Sequence, residues 1–208
     1  MLLRYGLNCL ALWTYYTGLH ALLVRDDSLI ARSYSGHLQF LTILGLCLSF
    51  IGEAVSLVAQ LSQLRSFRRL SSWLLQVCAP IECLISALYW ALRFVDTDLV
   101  LDPKFALELN PSLDRKLHLY PALFEVLRAV MAPPDLWHAG FVGPFAVFGA
   151  LAGGYWAWID HVFSHNNFYP YPLFEVLNFE QRVGLFAFSA FVLVVIYKLI
   201  QRAQYSVH

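Results

Sequence analysis

The chain has 208 residues, of which 59% are hydrophobic and only 13% charged, with a mean hydropathy of +0.59 and zero formal net charge. A soluble domain of this length needs a far more charged exterior, so the composition is that of an integral membrane protein. Basic and acidic side chains balance at 14 each, and the basic ones sit in short connections, which excludes a broad patch for docking to nucleic acid.

A helix rises 1.5 Å per residue, so roughly 20 residues cross a hydrocarbon core of about 30 Å. The first apolar stretch, Leu7 to Val24, follows Arg4 and contains Asn8, Thr14, Tyr15 and Tyr16. No small-residue cleavage pattern precedes Arg25-Asp26-Asp27, so it reads as a retained span and not a signal peptide. The second stretch, Leu38 to Leu61, lacks Lys and Arg and ends before Arg65, Arg68 and Arg69. The third, Leu70 to Phe94, carries Trp73 and Trp90 near its ends, where an interfacial aromatic belt puts them. A polar segment with Asp96, Asp98, Asp102, Pro103, Lys104, Glu108 and Asn110 then reads as an extramembrane loop. The fourth stretch, Leu113 to Met131, opens on Asp114, Arg115 and Lys116, holds Glu125 and Arg128, and includes Pro121, which removes a backbone donor; a tilted, kinked or partly interfacial helix is expected. Pro133-Pro134 ends it, the fifth stretch runs from Trp137 to Phe163, and a loop rich in Asn, Tyr and Pro leads to the sixth, Val183 to Leu199.

Unpaired backbone groups in lipid each cost several kcal/mol, so spans are helices or closed-barrel strands, and these stretches far exceed the roughly 9–11 residues of a barrel strand. The expected fold is therefore all-α, a single transmembrane domain over residues 1–208 built as an integral membrane six-helix bundle. An even number of spans puts both ends and the Arg65 cluster on one side, which the positive-inside rule makes cytoplasmic, though basic residues in the 96–116 region weaken that bias. Cys9, Cys47, Cys78 and Cys83 all fall within apolar stretches and are expected as buried thiols without a disulfide framework. No motif requires a cofactor.

On this topology the second and fourth spans start from the same surface. Thr42 and His118 each lie about five residues in, roughly 7–8 Å below it, where both a lipid ester carbonyl and water can arrive. A threonine hydroxyl needs an adjacent base during attack, and histidine, with an unperturbed pKa near 6.5, suits that role and protonation of the leaving group. The bland alternative is a threonine bonded back to the Leu38 carbonyl and a histidine bonded to a neighbouring helix.

The segment Ser33-Tyr34-Ser35-Gly36-His37-Leu38-Gln39-Phe40-Leu41-Thr42 resembles the start of the second span in the androgen-induced gene family of membrane proteins. Further matching pieces follow in the same order: Pro80 with Tyr89-Trp90, then Leu117-His118-Leu119-Tyr120-Pro121, Gly154-Tyr155 with Trp158, and Tyr171-Pro172 with Glu175. The resemblance runs from about Ser33 to Leu199 and rests on order and spacing. It implies a hydrolase of fatty acid esters of hydroxy fatty acids, with a membrane-embedded threonine nucleophile falling on Thr42, a histidine partner falling on His118, and a lipid ester within the membrane as substrate. The charges around the fourth span and the loop before it depart from the family pattern, which bears on substrate choice.

Other residues compete for attention. His138, beside Trp137, also precedes a proline in an apolar run but starts from the opposite surface. Asp160, His161 and His165 form a second cluster, in which two histidines four apart can share a metal or, more blandly, lie at the interface. Glu53 and Glu82 lie mid-span, where a carboxylate must be protonated or hydrogen-bonded; they motivate the alternative of a non-enzymatic carrier or scaffold, although no repeat or paired broken helix accompanies them. Glu125 and Arg128, three apart, are expected to neutralise each other. Tyr169-Pro170-Tyr171-Pro172 reads as a rigid lid or an anchored loop.

Overall fold

The computed structural model describes residues 2–23, 28–100, 110–132 and 140–207. Among the described residues all regular structure is helical. In chain order the helices are α1 (Leu2–Leu23), the single turn α2 (Leu29–Arg32), α3 (Leu41–Ser62), α4 (Arg65–Val95), α5 (Pro111–His118), α6 (Tyr120–Met131), α7 (Val142–Asn166), the single turn α8 (Leu173–Val176) and α9 (Phe179–Val207). A 3-10 turn, Gly36–Gln39, leads into α3.

Among the described residues four helices, α3, α4, α7 and α9, are long and apolar enough to cross a membrane. The six-span expectation is met only in part. The first predicted span is one helix of 22 residues, α1, but Arg4, Asn8, Thr14, Thr17 and His20 dilute its apolar character. The fourth is broken at Leu119 (φ −123°, ψ −54°) into α5 and α6, of 8 and 12 residues. Pro121 is the cause: it has no N–H to offer the Leu117 carbonyl and its ring collides with that group, so the chain steps out of the helix and restarts. The predicted connection Arg65, Arg68 and Arg69 is itself helical and forms the first turns of α4. Gln63, in the left-handed conformation at φ 57°, closes α3 and makes the α3–α4 hairpin tight. The polar segment 102–108, Arg25-Asp26-Asp27, Pro133-Pro134, Trp137 and His138 lie outside the described residues.

Packing centres on α4, which touches α3, α5, α6 and α9, while α1 covers α3, α5 and α6, and α7 lies along α9. One apolar core joins Leu75, Ala79 and Leu84 of α4 with Ala129 of α6, Phe148 of α7 and Leu193 of α9. A second joins Ala11 and Tyr15 of α1 with Ile43 and Leu46 of α3 and Leu117 of α5. Small residues set the approach of the helices, as is usual where lipid offers no hydrophobic drive to associate. A Cβ built on Gly45 of α3 would sit 2.7 Å from the Ile85 Cδ1 of α4. Large apolar side chains left outside, such as Phe145 of α7 and Phe188, Phe191 and Leu199 of α9, form the lipid-facing surface.

Candidate active site

The route to Thr42 is built by the segment before it. Ser35 and Gly36 both take positive φ, at 64° and 51°, which reverses the chain after α2; a Cβ on Gly36 would meet the Ala31 carbonyl oxygen at 3.3 Å. The buried Gln39 amide braces this reversal by donating to Ser33 Oγ (3.1 Å) and the Gly36 carbonyl (2.8 Å). Tyr34 is tied to the end of α7, where its amide donates to Asn166 Oδ1 (2.9 Å), its carbonyl accepts from Asn166 Nδ2 (3.2 Å), and its ring stacks on His165. Helix α3 then starts without a side-chain cap at Phe40.

Thr42 is consequently the second residue of α3, closer to the helix start than the expected five residues in. The four amides opening a helix have no intrahelical acceptor, and two tyrosine hydroxyls answer part of that need. Leu41 N–H donates to Tyr155 Oη at 3.1 Å, and Tyr155 in turn donates to the Gln39 carbonyl at 3.0 Å. The amide and hydroxyl of Thr42 lie against the phenol oxygen of Tyr171, in the loop after α7. Burial pushes the Tyr171 phenol above its ordinary value, so it stays a neutral hydroxyl. The Leu38 carbonyl accepts from the Trp158 indole at 3.0 Å.

Thr42, Tyr89, Tyr155, Tyr171 and Ser189 line a cavity of about 180 Å³ enclosed by α3, α4, α7, α9 and α8, whose other walls are Leu, Ile, Val, Ala and Phe. Such a lining suits an acyl chain, with a few hydroxyls to orient its polar group.

His118 ends α5, buried, and its ring stacks flat on Tyr89 with centroids 3.4 Å apart. It does not itself line the cavity; Tyr89 does. Leu117, just before it, shares a core cluster with Ile43, just after Thr42. His118 Nδ1 bonds Asp114 Oδ1 at 2.9 Å, one helical turn back, which leaves Nε2 as the nitrogen free of the carboxylate. The same Asp114 oxygen accepts from the Tyr89 hydroxyl at 2.7 Å, and its other oxygen accepts from Arg93, which also donates to Tyr89 at 2.8 Å. Asp114 was visible in the sequence only as a charge that weakens a span. Its i, i+4 spacing to His118 was the available signal.

The remaining candidates have other neighbours. Arg128 is buried and pairs with both Glu125 (3.1 Å) and Glu53 (3.0 Å), so the expected Glu125–Arg128 pair is part of a larger cluster that also takes in Asn8. Glu82 accepts from Ser49 at 2.8 Å. His161 Nε2 lies 3.2 Å from the Tyr34 hydroxyl, so His161 and His165 pack the Tyr34 loop, and among the described residues no group of His, Cys, Asp and Glu is placed to hold a metal ion. The four cysteines are free thiols; Cys78 is buried as expected, whereas Cys47 and Cys83 are half-buried and Cys9 is exposed on α1, contrary to the expectation that all four are buried. The Tyr169-Pro170-Tyr171-Pro172 loop is anchored, with Tyr169 stacked on Phe163 and bonded by Arg182 at 2.7 Å.

A membrane protein of Schizosaccharomyces pombe, named only as a UPF0641 membrane protein, is 28% identical over 154 residues, covering 74% of this chain and 68% of its own length. No solved structure matches the chain significantly. With its four membrane-length helices and a membrane-protein relative, the chain is an integral, multi-pass membrane protein. The profile of the family described as FAR-17a/AIG1-like protein matches residues 6–204, nearly the whole length and every segment that carries the resemblance to the androgen-induced gene family, and the chain belongs to that family.

Proposed function

We propose that the protein is a membrane-embedded hydrolase of lipid carboxylic esters, of the kind that cleaves fatty acid esters of hydroxy fatty acids, with Thr42 as nucleophile and His118 as general base. The observation that supports this best is the buried Thr42 hydroxyl on the wall of an apolar cavity, with an Asp114–His118 pair stacked against Tyr89 of the same wall. Asp114 would hold the Nδ1 proton and present Nε2 as the base.

In the first step His118 Nε2 takes the Thr42 proton as Oγ1 attacks the ester carbon, which requires the two within about 2.6–3.2 Å of each other, directly or through one water. Collapse of the tetrahedral intermediate breaks the ester C–O bond, the imidazolium returns the proton to the departing hydroxy fatty acid, and an acyl-threonine remains. Water, deprotonated by His118, attacks that ester; the fatty acid leaves and Thr42 regains its proton.

Thr42→Ala and His118→Ala should each lower ester hydrolysis in membranes by at least about 100-fold with the protein still folded. A fluorophosphonate probe should label the wild type and not Thr42→Ala. Turnover retained in both variants would reject the mechanism. The second reading, a carrier or scaffold built around intramembrane carboxylates, is favoured by the Arg128–Glu53–Glu125 cluster beside a polar cavity of about 640 Å³ at the far end of α3. It expects no labelling, and a substrate-dependent proton flux that Glu53→Gln alters.

A further inference from the structure

Thr42 is flanked by two tyrosine hydroxyls, and they are not equivalent. Tyr155 has both a donor and an acceptor role filled, giving its proton to the Gln39 carbonyl at 3.0 Å and accepting from Leu41 N–H at 3.1 Å. Its hydroxyl builds the start of α3. The Tyr171 oxygen instead lies beside the Thr42 amide, which can only donate, and beside the Thr42 hydroxyl. A phenol has one proton and two lone pairs, so an oxygen that accepts from that amide still has its own proton to give. Tyr171 lines the cavity that Thr42 lines, and its ring is held in place by edge contacts with Phe40 and Phe174.

We propose that Tyr171 is the oxyanion donor of the site: its hydroxyl donates a hydrogen bond to the carbonyl oxygen of a carboxylic ester as Thr42 Oγ1 attacks the carbon. This rests on the hydrolase reading above. The Thr42 oxygen bonds to the ester carbon, the carbonyl electron pair moves onto oxygen, and the Tyr171 proton stays on the phenol throughout. The Thr42 amide beside the phenol oxygen and the edge contacts with Phe40 and Phe174 hold the phenol, so the donor is set before substrate arrives, which is what gives such a group its worth in a water-poor site.

The test compares Tyr171→Phe with Thr42→Ala in detergent-solubilised full-length protein, using a long-chain p-nitrophenyl ester and a fluorophosphonate probe. Tyr171→Phe keeps the ring and should lower kcat about 10²–10³-fold with KM little changed, and slow probe labelling in parallel, because the phosphonyl oxygen needs the same donor. Replacing Tyr171 with 3,5-difluorotyrosine, whose phenol ionises at lower pH, should leave activity at neutral pH and lose it at alkaline pH where the wild type retains it. A structural role would not produce that profile. Tyr171→Phe turning over within about threefold of wild type while Thr42→Ala is inactive would overturn the oxyanion assignment alone. An active Thr42→Ala would overturn the hydrolase reading and this assignment with it. Should Tyr171→Phe fail to fold, the fluorotyrosine pH profile decides.

Discussion

Asp114 is the residue whose meaning changes most between chain and fold. It accepts from His118 Nδ1 at 2.9 Å and from Tyr89 at 2.7 Å, and Arg93 reaches its second oxygen. A carboxylate can only accept, so it holds the imidazole in the tautomer with the proton on Nδ1; an amide in its place can donate instead and favour the other tautomer. Asp114→Asn should therefore lower kcat for ester hydrolysis about 10²–10⁴-fold with little change in KM, measured beside the melting temperature to separate chemistry from folding. Gly36 and Gln39 work at the same scale. One supplies a positive φ that side chains resist and the other supplies two hydrogen bonds, and together they aim Thr42 at the cavity.

Among the elements, the α3–α4 hairpin and the break between α5 and α6 do most to position the site. Gly45 lets α3 lie close against α4: a Cβ there would come within 2.7 Å of Ile85 Cδ1 and 3.3 Å of Glu82 Oε1, so both side-chain ends would have to shift. Gly45→Leu should part the two helices and cost about 1–3 kcal/mol of stability, read as a lower midpoint of thermal unfolding in detergent. The break at Leu119 leaves His118 at a helix end, with Pro121 preventing the ladder from running through. That break was foreseeable as a kink, because a proline's missing donor is a local property. Its consequence, an α5 only 8 residues long whose buried face carries Asp114, Leu117 and His118, was not.

At the scale of the whole molecule, one buried ionic cluster ties three helices together. Arg128 of α6 lies between Glu125 of its own helix and Glu53 of α3, and Asn8 of α1 donates to Glu53. Removing the cation would leave two buried carboxylates facing each other, so Arg128→Met should destabilise the protein by about 3–5 kcal/mol. Adding Glu53→Gln and Glu125→Gln should recover much of that loss, and thermal unfolding of the single and triple variants checks both.

What the chain alone determined is what depends on neighbours along it. An apolar run long enough for a bilayer must satisfy its own backbone, which makes the fold helical and membrane-spanning, and the ordered motifs from Ser33 to Glu175 marked the family. The span count was only partly legible, because polar residues in α1 and Pro121 in the fourth stretch make hydropathy ambiguous there. Tertiary structure decided which polar side chains meet. Tyr155 reaches Gln39 and Leu41 across more than a hundred residues, Tyr171 reaches Thr42 from a loop after α7, and Arg128 finds Glu53 as well as Glu125. A buried polar group takes whatever partner packing brings within hydrogen-bond range, and that choice is made by the arrangement of helices, which no local pattern of residues encodes.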